Sequence, residues 1–130
     1  MIQQSGYLYI DHTRTRGRGV FAAKNFEIGD LIETCPVLIL SKLDTRKIEA
    51  THLYNYYFEW DADAGRSAIA LGFGSLYNHS HRPNAYYEMD FEQEAIAVLC
   101  LRPISVGEEI CFNYNGEPDD NTPVWFESAD

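Results

Sequence analysis

Two segments concentrate the residues that could do chemistry. Gly72-Phe73-Gly74-Ser75-Leu76-Tyr77-Asn78-His79-Ser80-His81-Arg82-Pro83-Asn84 is an apolar run ending in an Asn-His-Ser turn. Gly107-Glu108-Glu109-Ile110-Cys111-Phe112-Asn113-Tyr114 is a glycine turn feeding a strand that closes on a tyrosine. Near the start, Gly17-Arg18-Gly19 turns into Val20-Phe21-Ala22. Each segment alone admits a plain reading. A Gly-x-Gly turn lets backbone approach a ligand closely, because neither glycine has a Cβ; it is also an ordinary tight turn. It lacks the third glycine and following helix of a dinucleotide fingerprint. Asn-His-Ser commonly makes local side-chain bonds to backbone. His79 and His81 invite a metal, but no third ligand has useful spacing, so none is expected. A strand-end tyrosine is by default an amphipathic edge residue with its hydroxyl in water.

Aromatic density changes the weight of Tyr114. Tyr54, Tyr56, Tyr57, Phe58 and Trp60 precede it, Phe112 lies two residues before it, and Trp125 and Phe126 follow. Aromatic walls hold alkylammonium groups by cation–π attraction; a tyrosine-rich core would use the same residues.

The elements that must position these groups read as mostly short strands. Tyr7-Leu8-Tyr9-Ile10 alternates like a strand. Residues 31–40 form a strand run in which Pro36 predicts an edge or a bulge. Asp44 or Thr45 is expected to cap a short helix through Ile48, Thr51 and His52. Residues 56–60 read as a strand and 61–65 as a loop. Residues 85–89 and 95–101 flank a polar turn as a hairpin, and Glu109 to Tyr114 is a strand. Short strands with glycine turns and little helix give a mainly β fold.

The chain has 130 residues, 45% hydrophobic, which sets one domain with a real core. Residues 1–130 are read as that single domain, with its core at about 7–115 and residues 116–130 as a short closing segment. No apolar stretch approaches a membrane span, and Met1-Ile2-Gln3-Gln4-Ser5 does not read as a signal peptide, so a soluble intracellular protein is expected. Cys35, Cys100 and Cys111 are widely spaced and expected as buried thiols. Ten basic against twenty acidic residues give a charge of −10, which argues against direct nucleic-acid binding and suits a Lys-rich partner.

Taken together, Gly17-Arg18-Gly19-Val20-Phe21-Ala22, Asn78-His79-Ser80 and the Gly107 to Tyr114 strand resemble the SET-domain family of lysine methyltransferases. The likeness is nearest to small stand-alone viral and bacterial members, and runs from Gly17 to Tyr114. It implies small curled β-sheets with a C-terminal pseudoknot. It implies S-adenosylmethionine as cofactor, with Gly17, Arg18, Gly19, Asn78, His79 and Tyr114 around it and Trp125 or Phe126 over the adenine. A lysine amine would attack the sulfonium methyl, releasing S-adenosylhomocysteine. Tyr114 would be the catalytic residue. Tyr56, Tyr57 and Phe112 would line the lysine channel, Tyr56 being favoured over Tyr57. Phe112 at the family's Phe/Tyr switch position implies di- or trimethylation.

Three features depart from the family pattern. Zinc-binding cysteines are missing after Asn-His-Ser and after Tyr114, where His81 and Asn115-Gly116 stand. The channel is then closed by the tail around Trp125 or by another subunit, which allows a homodimer. Cys35-Pro36-Val37 replaces Tyr-x-Gly, and no recruiting domain is expected to flank this one. The expected substrate is a histone tail, a ribosomal protein or another Lys-rich protein, in the cytoplasm or on chromatin. A salt-sensitive Michaelis constant follows, checked by repeating the assay across ionic strength. The alternatives are a SET-fold peptide-binding module without turnover, and a methyltransferase for a free small amine.

Overall fold

The computed structural model describes residues 6–126 and the backbone of 2–4. Short apolar-polar alternations build two five-stranded sheets among these residues. The first holds β1 (Ile2–Gln4), β2 (Leu8–His12), β3 (Arg18–Ala22), β7 (Asn78–His79) and β10 (Glu109–Phe112), in the order β1-β2-β3-β10-β7. The second holds β4 (Leu31–Leu40), β5 (Phe58–Asp61), β6 (Arg66–Ala70), β8 (Ala85–Asp90) and β9 (Ala95–Cys100), in the order β5-β6-β4-β9-β8. Ile96, Val98 and Cys100 alternate inward from β9, while Ile110 and Phe112 do so from β10. Each such side chain contributes about 1.5–3 kcal/mol of burial. All three cysteines are buried thiols.

Pro36 sits in a central strand, not on an outer edge or at the register shift, which falls between Leu31 and Glu33. The reason is a change of partner: residues up to Pro36 pair with β9, and Val37 onward pair with β6. A residue without an N–H fits where the ladder changes sides. The helix α1 (Lys42–Ile48) is capped by Ser41, three residues before Asp44 and four before Thr45, because the Ser41 side chain accepts from Asp44 N. It also ends before Thr51, whose side chain caps a separate 3-10 turn at His52–Asn55. Asp61 ends β5 and does not open the loop.

Asn78-His79, expected as a turn, is instead a two-residue strand parallel to β10. Nothing local announces it, since its partner strand lies about thirty residues on. The segment continuing from it straps β10. Ser80 N donates to Phe112 O at 3.1 Å, Asn84 Nδ2 donates to Glu109 O at 2.8 Å, and Asn84 Oδ1 accepts from Cys111 N at 2.9 Å. Beyond β10 the tail is folded back by asparagines: Asn113 Nδ2 donates to Asp120 O at 2.6 Å, and Asn115 Nδ2 to Thr122 O at 2.7 Å. This strapped crossing is the pseudoknot, an exception to the rule against threaded chains.

Candidate active site

The crossing brings all three sequence segments to Tyr114. β10 pairs antiparallel with β3 through Ile110 and Val20, and parallel with β7 through Phe112 and His79. The His79 ring is buried, and its Nδ1 accepts from Tyr114 N at 3.0 Å. That bond makes the ring a neutral tautomer protonated on Nε2. The Tyr114 hydroxyl donates to Tyr77 O at 2.5 Å. Burial, then the charges of Cys111, Tyr56 and Glu109, push its pKa well above the ordinary tyrosine value, with Arg16 opposing. Tyr114 therefore stays a protonated donor at any working pH.

On one side of Tyr114 lies the glycine turn. Asn78 Nδ2 donates to Arg18 O at 2.9 Å and to Glu109 Oε2 at 2.6 Å. Glu109 Oε1 pairs with Arg16 Nη1 at 3.1 Å. A Cβ on Gly19 would collide with the Glu109 carboxylate and lie 2.8 Å from Asn78 Nδ2. Gly17 has φ +72 and faces open space. The turn is thus reachable backbone over a carboxylate–guanidinium pair. Glu109 and Arg16 were not among the residues expected here; Glu108-Glu109 beside the glycine turn was the available signal.

On the other side lies a cavity of about 350 Å³. Tyr56, Tyr57 and Phe112 all line it, and of the two tyrosines it is Tyr56 whose charge is felt at the Tyr114 hydroxyl. Phe112 lies 4.9 Å from the Tyr87 ring and 5.2 Å from the Tyr77 ring. Tyr87, absent from the expected channel, also lines it; burial first, then Glu59 and Glu117, push its hydroxyl up to about 12. Tyr77 and Glu33 form a support beneath. Glu33 accepts from Tyr77 OH at 2.7 Å and from Phe73 N at 2.9 Å, which holds the stretch whose carbonyl receives the Tyr114 hydroxyl. Burial, then Glu33, raise the neighbouring Cys35 thiol far above its usual range, so it is inert.

Gly17, Arg18, Asn78 and His79 do not line this cavity. Trp125, expected with them, does. Its ring stacks on Tyr114 at 5.8 Å and its Nε1 donates to Asn55 Oδ1 at 3.1 Å. Phe126 instead lies 6.0 Å from the His79 ring. Trp125 thus brings the tail of this same chain to the wall of the cavity. Among the described residues no group of three His, Cys, Asp or Glu side chains is arranged to hold a metal.

A two-sided site meeting at one half-buried tyrosine, just past a strapped strand, is the architecture of the SET domain, and the SET domain model matches residues 17–115. The chain belongs to the SET-domain family of lysine methyltransferases, which use S-adenosylmethionine. It is 36% identical over 121 residues to the histone-lysine N-methyltransferase, H3 lysine-37 specific, of Schizosaccharomyces pombe, covering 92% of this chain and 77% of that protein. It is 28% identical to N-lysine methyltransferase KMT5A of Xenopus tropicalis, covering 81% of this chain and 35% of the relative. A crystal structure of a Plasmodium falciparum histone methyltransferase aligns with TM-score 0.71 and 27% identity, covering 85% of this chain and 95% of that one. A chain of Chaetomium thermophilum Polycomb Repressive Complex 2 shares the fold at TM-score 0.69 and 20% identity, over 83% of this chain and 15% of that one.

Proposed function

We propose that this chain methylates the ε-amine of a lysine in a histone tail or similar Lys-rich protein, on chromatin, with di- or trimethyllysine as product. The observation that carries it is Tyr114, a half-buried donor standing between an open glycine turn and an aromatic cavity. S-adenosylmethionine supplies a methyl group made electrophilic by its sulfonium. The residues present fit such a group. Gly19 lets Asn78 and Glu109 pack under the turn, and the open space at Gly17 leaves backbone reachable. The turn, Asn78 and the Arg16–Glu109 pair suit a zwitterionic amino-acid end. His79 offers backbone to the purine, and Phe126 rather than Trp125 covers it.

The chain's own work is positioning and exclusion of water. The cavity walls strip water from the amine, which lowers its pKa from about 10.4. Trp125 caps the mouth. The Tyr114 hydroxyl orients the amine lone pair and moves no proton of its own. The pH profile follows from these signs. kcat/KM rises with pH as the amine loses its proton. Tyr114 is needed protonated and its pKa is raised, so it causes no descending limb below its ordinary value of about 10. A pH–rate series showing loss of activity between about pH 8 and 9 would contradict this.

The degree of methylation is set where Phe112 meets Tyr87. Phe112 leaves a methylated amine free to rotate, whereas the neutral Tyr87 hydroxyl can still tether it. Tyr87→Phe raises the trimethyl fraction, and Phe112→Tyr stops the reaction at one methyl; mass spectrometry of peptide products reads both.

Calorimetry of S-adenosylmethionine binding tests the cofactor without a guess about substrate. One-to-one binding in wild type, nearly unchanged in Trp125→Ala, is expected. Folded protein that does not bind would return the chain to the peptide-binding alternative.

A further inference from the structure

The mouth of the cavity is built as a second corner for a positive charge. Tyr54 and Tyr57 stand at 81° with ring centroids 6.1 Å apart, and Tyr54 and Trp125 at 69° and 6.3 Å. Rings meeting near a right angle at this separation leave a corner where a cation sits within about 6 Å of both faces. These rings are separate from Phe112, Tyr77 and Tyr87, which pack on one another in the depth. The outer rings stay open to solvent, Tyr54 at 42% and Trp125 at 51%.

Their placement is constructed. Thr51 caps the turn that carries Tyr54, and Asn55 from the same turn takes the Trp125 Nε1 hydrogen. The electrostatics agree. Glu59 lines the cavity, and no Lys or Arg among the described residues does. Burial first, then Glu49, Tyr54 and Glu59, hold the Tyr57 hydroxyl above its ordinary pKa, and the two carboxylates among them put negative charge beside the corner.

We propose that this outer corner binds the side chain of a second arginine or lysine in the substrate, two positions from the target lysine. An extended chain presents residues i and i+2 on one face, about 7 Å apart, so one ligand segment can fill both stations. The enzyme then selects pairs of basic residues rather than isolated lysines. This rests on the lysine-methyltransferase reading.

The test uses peptides with a single target lysine and either arginine or neutral, isosteric citrulline two positions to either side. Wild type and Tyr54→Leu are compared, with S-adenosylmethionine binding measured in parallel. In wild type the arginine peptide of one polarity has a KM about tenfold lower than its citrulline twin. In Tyr54→Leu that difference falls below about twofold. Equal KM values in wild type, or a difference that persists in Tyr54→Leu, overturn the proposal and leave the methyltransferase reading intact. Cofactor binding without methylation of any peptide overturns both.

Discussion

Tyr114→Phe lowers kcat by about 10²–10³-fold while S-adenosylmethionine still binds. The expectation follows from what the hydroxyl does and what the ring does separately. The hydroxyl is a fixed donor, held neutral by burial and aimed at the Tyr77 carbonyl. The ring packs against Trp125, Phe126, Phe112 and His79, and phenylalanine keeps all of those contacts. The Tyr114 backbone N–H to His79 is also unchanged. The variant leaves the Tyr77 carbonyl short of one donor, a cost of about 1–2 kcal/mol. Melting therefore drops by only a few degrees, roughly 3–8 °C. Turnover within about tenfold of wild type would remove Tyr114 from the catalytic role. Loss of cofactor binding together with turnover would show a collapsed site instead.

Gly19→Ala acts on the other half of the site, and binding rather than turnover is lost first. Gly19 is buried in β3, and its backbone lies against the Glu109 carboxylate and the Asn78 amide. A methyl group there must displace that carboxylate, which breaks its bonds to Asn78 and Arg16 together. Losing such charge-assisted bonds costs about 1.5–3 kcal/mol each way they are counted. We expect at least a tenfold weaker cofactor affinity, together with a lower melting temperature. Gly17→Ala is the contrasting variant. Its φ of +72 makes alanine strained by about 1–2 kcal/mol, but its Cβ would meet nothing. Stability falls there while Glu109 stays in place. Equal cofactor affinities in the two alanine variants would contradict the account of the turn.

The parts legible in the sequence were those with local causes. Glycine turns, the polar break between β8 and β9, and the alternation along β9 have signals within a few residues. So does the last strand, although it was expected to run to Tyr114 and stops two residues short, at Phe112, where Asn113 turns the chain toward the Pro118 and Asp120 carbonyls. The parts that were not legible depend on partners far along the chain. The β7 pairing needs β10, and two residues carry no periodicity of their own. Tyr87 joins the cavity only because its pairing with Val98 turns its ring to the same face as Phe112. Glu33 could not be linked to Tyr77 without knowing that the 73–77 stretch folds over β4. Trp125 and Phe126 are adjacent and both rest on Tyr114, yet only Trp125 lines the cavity while Phe126 reaches the His79 ring, and composition offers no way to choose between them.

The most direct test is mass spectrometry of histones and ribosomal proteins incubated with the purified chain and S-adenosylmethionine, with Tyr114→Phe alongside. The account predicts methyl groups added to lysine side chains, preferentially beyond the first methyl, dependent on the cofactor and nearly absent with Tyr114→Phe. Folded protein that binds the cofactor yet leaves every lysine in both mixtures unmodified would contradict it.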